Sequence, residues 1–279
     1  MSSTILDTLV AAARASASER EVLTPLAALQ QRSAYHAPTL SLKRALTRPD
    51  GLSFIAECKG ASPSEGVIKP EYKPAEHAAA YKAAAAAAIS VLTESSQFGG
   101  SLGHLAQVRA AVDLPLLRKD FIVTPYQIAE ARAFGADAVL LIAAALDAPT
   151  MAELVDRAHA LGLSVLLEVH SEAEAEMAHN AVDLATLDAV GVNHRDLTDF
   201  SIDLGLSERL MPQLPKGPAK VAESGIAGGD DAARVHAAGA DAVLVGTSLM
   251  REQDPGRALA RLRRETAIAI AARTASIPA

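Results

Sequence analysis

From residue 53 onward, short apolar runs alternate with stretches whose apolar residues recur at helical spacing. The runs predict strands at 53–59, 88–93, 115–119, 138–142, 164–169, 189–193, 220–224 and 242–246. Helical patterns lie between them at 74–86, 101–112, 125–134, 149–161, 172–181, 204–211 and 228–238, and a last one covers 254–273. Strands this uniformly apolar are buried on both faces, and their alternation with helices is the rhythm of βα units with right-handed crossovers. Residues 1–50 break the rhythm. Leu6, Leu9, Val10 and Ala13 fall on one helical face, Pro25 can start a second helix through Leu26–Gln31, and Arg48-Pro-Asp-Gly51 is a turn signal.

The units also resemble one another. Ala131–Leu140 reads ARAFGADAVL and Val235–Leu244 reads VHAAGADAVL, with a looser copy, AHALGLSVL, at Ala158–Leu166. The first two place a helix end, a Gly at the C′ position and then an Asp before a buried strand. Repetition at the level of one βα unit favours a single closed (β/α)8 TIM barrel over a doubly wound open sheet. The expected organisation is one domain overall: a helical extension at 1–50 and a barrel at 51–279.

Composition narrows the function. Half of the 279 residues are hydrophobic, so a large core is easily built, and the net charge of −7 offers no basic footprint for nucleic acid. Aromatics are only 3% and Trp is absent, which argues against base-stacking surfaces. A single cysteine, Cys58, excludes an intramolecular disulfide and suits a reducing cytoplasm. The first 20 residues lack a basic stretch followed by a continuous apolar core, so no signal peptide is expected. No apolar run approaches the roughly 20 residues that span a bilayer. The histidines show no metal-ligand spacing and no G-x-G-x-x-G follows a strand, so neither a metal nor a dinucleotide is expected.

The chemistry sits where the strands stop. FIAECK (Phe54–Lys59), LPLLRK (Leu114–Lys119), VLLEVH (Val165–His170), AVGVN (Ala189–Asn193) and KVAES (Lys220–Ser224) carry charged or amide side chains at their C-terminal tips. In a parallel barrel those tips converge on the face that holds the active site. Strand parity points Glu57 and Lys59 together, beside the small-residue loop Gly60–Gly66, and turns Cys58 toward the helices as an apolar filler. The competing reading is a buried ion pair that merely closes the barrel.

Lys119 has a solvated strand end as its alternative. A lysine in a partly dry mouth can have a depressed pKa and can then act as a general acid or form a Schiff base. Arg118 and Asp120 face the other way and should tie strand to helix. Glu168 ends its strand with His170 at the same parity as a supporting residue. Asn193 can orient a hydroxyl or carboxylate, or simply cap its loop. Ser224-Gly225 and Gly246-Thr247 follow the last two strands, where barrels often cradle a phosphate on backbone N–H groups. From these residues alone the expectation is a cofactor-free barrel enzyme acting on a phosphorylated small molecule, with aldolase-, isomerase- and lyase-like chemistry all open.

At these residues the sequence resembles the indole-3-glycerol-phosphate synthase family. The likeness runs through IAECKGASPSEG (55–66), SVLTESSQFGGS (90–101), the stretch 114–146 that includes LLRKDF, LLEVH (166–170), VGVNHRDL (190–197), VAESGI (221–226) and VLVGTSLM (243–250). The resemblance implies decarboxylating ring closure and dehydration of 1-(2-carboxyphenylamino)-1-deoxyribulose 5-phosphate. It makes Lys119 the general acid, Glu57 and Glu168 the paired carboxylates and Lys59 the grip on the anthranilate carboxylate. Asn193, Arg195, Ser224, Phe98 and Phe121 become substrate-positioning residues. Ser62 with Gly225, Gly246 and Thr247 matches the phosphate-binding loops. It also implies that residues 1–50 pack over the barrel mouth, and it leaves open both a monomer and docking of a tryptophan-pathway partner. His194, Gln97, Ala84 and Ala85 depart from the family's usual residues, and the two alanines predict a strained turn ahead of the second strand. A sister barrel, phosphoribosylanthranilate isomerase, would need Cys58 as its base, which strand parity disfavours. A non-catalytic ligand-binding barrel would not need the full set of charged tips.

Overall fold

The computed structural model describes residues 4–49, 51–63, 65–196 and 201–275; Asp50, Ser64 and Leu197, from three of the segments singled out above, lie outside them. The predicted strands form, within a residue or two, as β1 (Ser53–Cys58), β4 (Ala88–Leu92), β5 (Leu116–Lys119), β6 (Ala138–Ile142), β7 (Ser164–Val169), β8 (Ala189–Asn193), β9 (Ala219–Glu223) and β10 (Ala242–Val245). They close into an all-parallel barrel in the order β1-β10-β9-β8-β7-β6-β5-β4. Two short strands, β2 (Ala61–Ser62) and β3 (Gly66–Val67), pair antiparallel in the loop after β1. Helices α5 (Pro74–Ala83), α6 (Leu102–Ala111), α7 (Pro125–Ala133), α8 (Ala148–Ala160), α9 (Glu172–Ala181), α10 (Gly205–Leu210), α11 (Gly229–Ala237), α12 (Thr247–Met250) and α13 (Pro255–Ala275) follow the strands. The (β/α)8 barrel expected from the alternation is the fold.

Alternation along each strand divides the core in two. Phe54, Ala56 and Cys58 of β1 face the helices with Val139, Val165 and Val243, while Ile55 joins Leu117, Leu140, Leu166 and Val221 inside the barrel. The repeated Asp noticed in the sequence has a structural task. Asp137 accepts the backbone N–H of Leu116 at 2.9 Å, and Asp241 accepts that of Lys220 at 2.8 Å. Asp188 does the same for Val165 at 3.1 Å. Each carboxylate thus occupies the start of one strand and satisfies an otherwise unpaired donor on its neighbour.

The N-terminal segment forms α1 (Ile5–Leu23), α2 (Leu26–Gln30), α3 (Ser33–His36) and α4 (Leu42–Leu46). Its placement differs from a simple cover over the mouth. Leu6, Leu9 and Ala13 of α1 lie near Phe98, Phe121 and Ala145 at the C-terminal end of the barrel. Farther along, Arg20 pairs with Glu130 of α7 at 2.6 Å, and α2 and α3 continue against α7. Helix α4 then reaches the opposite end, burying Leu42 and Leu46 completely among Ala88, Ala138, Ala189, Ala219 and Ala242. Those alanines open β4, β6, β8, β9 and β10, and their small side chains leave the barrel floor unfilled unless two leucines from elsewhere enter it.

Candidate active site

Every side chain of the site stands on an inward-facing strand position or on the loop that follows. Glu57, Lys119, Glu168 and Asn193 extend the inward rows of β1, β5, β7 and β8. With Lys59, Ser62, Phe98, Phe121, Arg195, Ser224, Gly225, Gly246 and Thr247 they line one cavity of about 360 Å³. All the residues proposed from sequence therefore meet at one place.

Among the charged members that sequence reasoning passed over, Glu223 is the most deeply buried. The strand was expected to run on to Ser224, but β9 ends at Glu223 and Ser224 turns away in the left-handed region at φ 67°. Ala219 and Val221 face the interior, so parity carries Glu223 inward as the last residue of the row. That parity was the available signal.

At the centre, Lys119 Nζ lies 3.2 Å from Glu168 Oε2 and 3.3 Å from Glu223 Oε2. Lys59 Nζ lies 2.7 Å from Glu57 Oε1. Glu57, Glu168 and Glu223 are almost wholly buried. A depression of the Lys119 pKa does not occur. Burial does oppose its charge, but Glu168, Glu223 and Glu57 outweigh that and hold the ammonium above the ordinary lysine range. The site therefore offers a charged acid, not a neutral amine ready for a Schiff base.

The two carboxylates beside Lys119 are driven apart. Both lose hydration, which favours the neutral form. Glu168 is nevertheless held low by Lys119, by His170 and by a hydrogen bond from Asn193. For Glu223, burial outweighs the help of Lys119, and the facing Glu168 charge and a hydrogen bond shared with Glu168 add to it, so its pKa is pushed up to about 8. Of the pair, Glu223 is the member whose neutral form is favoured and Glu168 the one whose ionised form is favoured. Like charges in one dry site cannot both be accommodated, and their surroundings decide which one yields.

Two glycines make room for these acids. A Cβ on Gly246 would overlap Glu57 Oε1, and one on Gly191 of β8 would overlap Glu223 Oε1. Gly246 is therefore needed by the carboxylate cluster in addition to any role in a phosphate cradle. The loops after β9 and β10 are tied together by Ser248 Oγ, which donates to the Ile226 carbonyl at 3.0 Å. His194, a departure from the family pattern, turns out of the cavity. Its Nδ1 donates to the Ser224 carbonyl at 2.8 Å, and its Nε2 meets Ser207 Oγ at 2.7 Å. Burial keeps the ring neutral, so it props the strained Ser224 turn from behind.

The outward-facing residues behave as structure. Arg118 is fully buried and bonds Asp120 at 2.8 Å and the Gln127 carbonyl at 2.7 Å. Asp120 also accepts from Thr93 at 2.6 Å. Cys58 is buried against the helices, and desolvation raises its thiol far above the usual range, so it cannot serve as a base. Among the described residues there is no group of three or more His, Cys, Asp or Glu side chains that could hold a metal ion, and no helix is long and apolar enough to cross a membrane.

A dry cluster of paired lysines and carboxylates at the C-terminal mouth of a (β/α)8 barrel defines an enzyme of acid–base chemistry. Comparison with known proteins identifies which one. The family model for indole-3-glycerol phosphate synthase matches residues 6–262. Indole-3-glycerol phosphate synthase 2 of Streptomyces coelicolor is 50% identical over 252 residues, covering 90% of this chain and 96% of its own. The synthase of Salinibacter ruber is 49% identical over 263 residues, covering 94% and 96%. Among solved structures, thiamine phosphate pyrophosphorylase from Pyrococcus furiosus superposes with a TM-score of 0.58 at 19% identity, covering 82% of this chain and 99% of that one, a likeness of fold alone.

The chain belongs to the indole-3-glycerol phosphate synthase family. It is a carboxy-lyase of tryptophan biosynthesis that converts 1-(2-carboxyphenylamino)-1-deoxyribulose 5-phosphate to indole-3-glycerol phosphate, carbon dioxide and water.

Proposed function

We propose that Lys119 is the general acid of ring closure. The observation that carries this reading is its ammonium group, held charged at 3.2–3.3 Å from two buried glutamates on the cavity wall. As the carboxylate-bearing ring carbon attacks the ribulose carbonyl, the π pair moves to oxygen, and Lys119 supplies the proton that completes the hydroxyl. Loss of carbon dioxide returns the C–C bonding pair to the ring. In the last step a base takes a proton from the neighbouring methylene while the hydroxyl leaves as water with help from an acid.

Glu168, ionised and directed by Asn193, suits the base. Glu57 and the protonated Glu223 stand at two other points of the wall and serve the departing oxygen. Lys59, steadied by Glu57, grips the anthranilate carboxylate. Ser62, Gly225, Gly246 and Thr247 receive the phosphate, Phe98 and Phe121 flank the ring, and Arg195 and Ser224 fix the polyol.

The test is fluorescence of the indole product formed from the carboxyphenylamino-deoxyribulose phosphate. Lys119→Ala should lower kcat by at least about 10²–10⁴-fold while leaving the thermal transition in place. A rate within a factor of about two of the parent would remove Lys119 from the chemistry. Inorganic phosphate should compete with substrate, and bulky side chains at position 225 or 246 should abolish that competition.

A further inference from the structure

The reaction takes up a proton. Two protons enter the organic framework, one on the carbonyl oxygen and one on the departing hydroxyl, whereas only the methylene gives one back. Release of a carboxylate as carbon dioxide therefore leaves the site one proton short after each turnover: Glu168 hands the methylene proton on to its neighbour Glu223, the acid spent on the hydroxyl, and Lys119 must be recharged from solvent. Yet Glu168 and Glu223, which adjoin it, are each only 1% exposed.

His170 lies behind Glu168, outside the substrate cavity. Its Nε2 is 3.6 Å from Glu168 Oε1, and its Nδ1 is 3.5 Å from Glu174 Oε2 on α9. Among the described residues neither ring nitrogen has a partner at full hydrogen-bond geometry, although both are shielded from solvent. The side chain of Glu174 is 21% exposed and is fixed by accepting the His170 backbone N–H at 2.8 Å and by the Ser171 cap. Glu168 turns its other oxygen, Oε2, to Lys119.

We propose that His170 relays the consumed proton from Glu174 at the solvent edge to Glu168, which passes it to Lys119. The inference rests on the reading of Lys119 as the acid. Nδ1 accepts a proton from the Glu174 side, Nε2 releases one to Glu168 Oε1, and a half-turn of that carboxyl group delivers it to the neutral Lys119 amine. Each gap exceeds a hydrogen bond by a few tenths of an ångström, a distance that small ring or carboxylate movements close. The charged or titratable groups facing the ring are Glu168 on β7, Glu174 on α9 and Glu223 on β9. Burial opposes a charge on the ring, but these carboxylates outweigh it and raise the His170 pKa, which brings the imidazolium within reach near neutrality.

The experiment separates the first turnover from later ones. In the parent, Lys119 starts charged, so a first turnover needs no delivery. His170→Asn and His170→Gln, each checked by thermal unfolding, should complete a single turnover at close to the parent rate. In weakly buffered solution above neutral pH, their steady-state kcat should fall by about tenfold or more. Added imidazole should restore it in a concentration-dependent way. Glu174→Gln, which can keep the cap to the His170 backbone, should show a smaller loss of the same kind.

A steady-state rate equal to the parent in both His170 variants overturns the relay. So does a loss that appears equally in the first turnover and resists imidazole, because that marks a structural role. Lys119→Ala run alongside must lose the first turnover; if it does not, the reading of the site itself fails, independently of His170.

Discussion

Ala85 occupies the left-handed region at φ 60°, where the other helix ends of the same design have glycine. After α5 its N–H bonds the Lys82 carbonyl at 2.9 Å, and the Ala86 N–H bonds that of Tyr81 at 3.0 Å. This is a Schellman cap, and the same pair of bonds ends α7, α8 and α11 at Gly135, Gly162 and Gly239. An L-residue in this conformation costs about 1–2 kcal/mol through contact of Cβ with the carbonyl oxygen. The Ala85 side chain is exposed, so deleting its methyl group forfeits no packing. Ala85→Gly should relieve that strain while adding about 0.4–1 kcal/mol of unfolded-state entropy. The net gain is then about 0.5–1 kcal/mol, or roughly 1–4 °C in Tm for a chain of this size.

Differential scanning calorimetry of the variant measures it, with unchanged kcat as the control. Gly162→Ala is the mirror experiment. Its φ is 71° and the nearest atom to a new Cβ is Thr39 Oγ1 at 3.6 Å, so the substitution adds strain without a clash. It should lose about 1 kcal/mol. A neutral or destabilising Ala85→Gly would refute the assignment of strain to this turn.

Other outcomes follow from the same geometry. Gly191→Ala should push the Glu223 carboxyl off Lys119 and lower kcat by about 10²-fold with little change in KM, since misplacement by about 1 Å is enough; steady-state kinetics checks it. The folded-state pKa of Glu223 lies above its unfolded value, so its contribution to stability is complete at low pH. It fades above the ordinary carboxylate range and is gone above about pH 8. Thermal melts of Glu223→Gln between about pH 6 and pH 9 should accordingly show a shallower fall in Tm than the parent. Leu46→Ala, which empties a fully buried position on the barrel floor, should cost about 2–5 kcal/mol in urea unfolding without altering which reaction is catalysed.

The barrel was legible because its strands are short apolar runs at regular intervals, and because five of the eight tips carry a residue that a buried strand would not otherwise tolerate. Parity then placed Glu57, Lys119, Glu168 and Asn193 on one wall without knowledge of any neighbour. Glu223 escaped because the strand was taken to end on Ser224, so the tip was credited to that residue, although parity with Val221 already turned Glu223 inward. The sense of the Lys119 shift escaped for a different reason: it depends on three carboxylates from three other strands, and no local pattern reports their sum. The path of α1 through α4 was equally hidden. Leu42 and Leu46 look like any short amphipathic turn until the strand-start alanines that need them are brought into one layer.

That floor makes the helices ahead of the first strand part of the barrel's closure. A barrel of this kind is usually pictured as eight equal staves, any of which meets its neighbours and nothing else. Here the staves taper to alanine at one end, and the chain seals the gap with a stopper made before the first stave is laid. The same segment touches the rim near Phe121 with its opening turns, so the molecule is fastened at both ends by one continuous cord. A chain cut back to the first strand would have a complete ring of strands and an open bottom, through which water would enter the interior that keeps Glu168 and Glu223 dry.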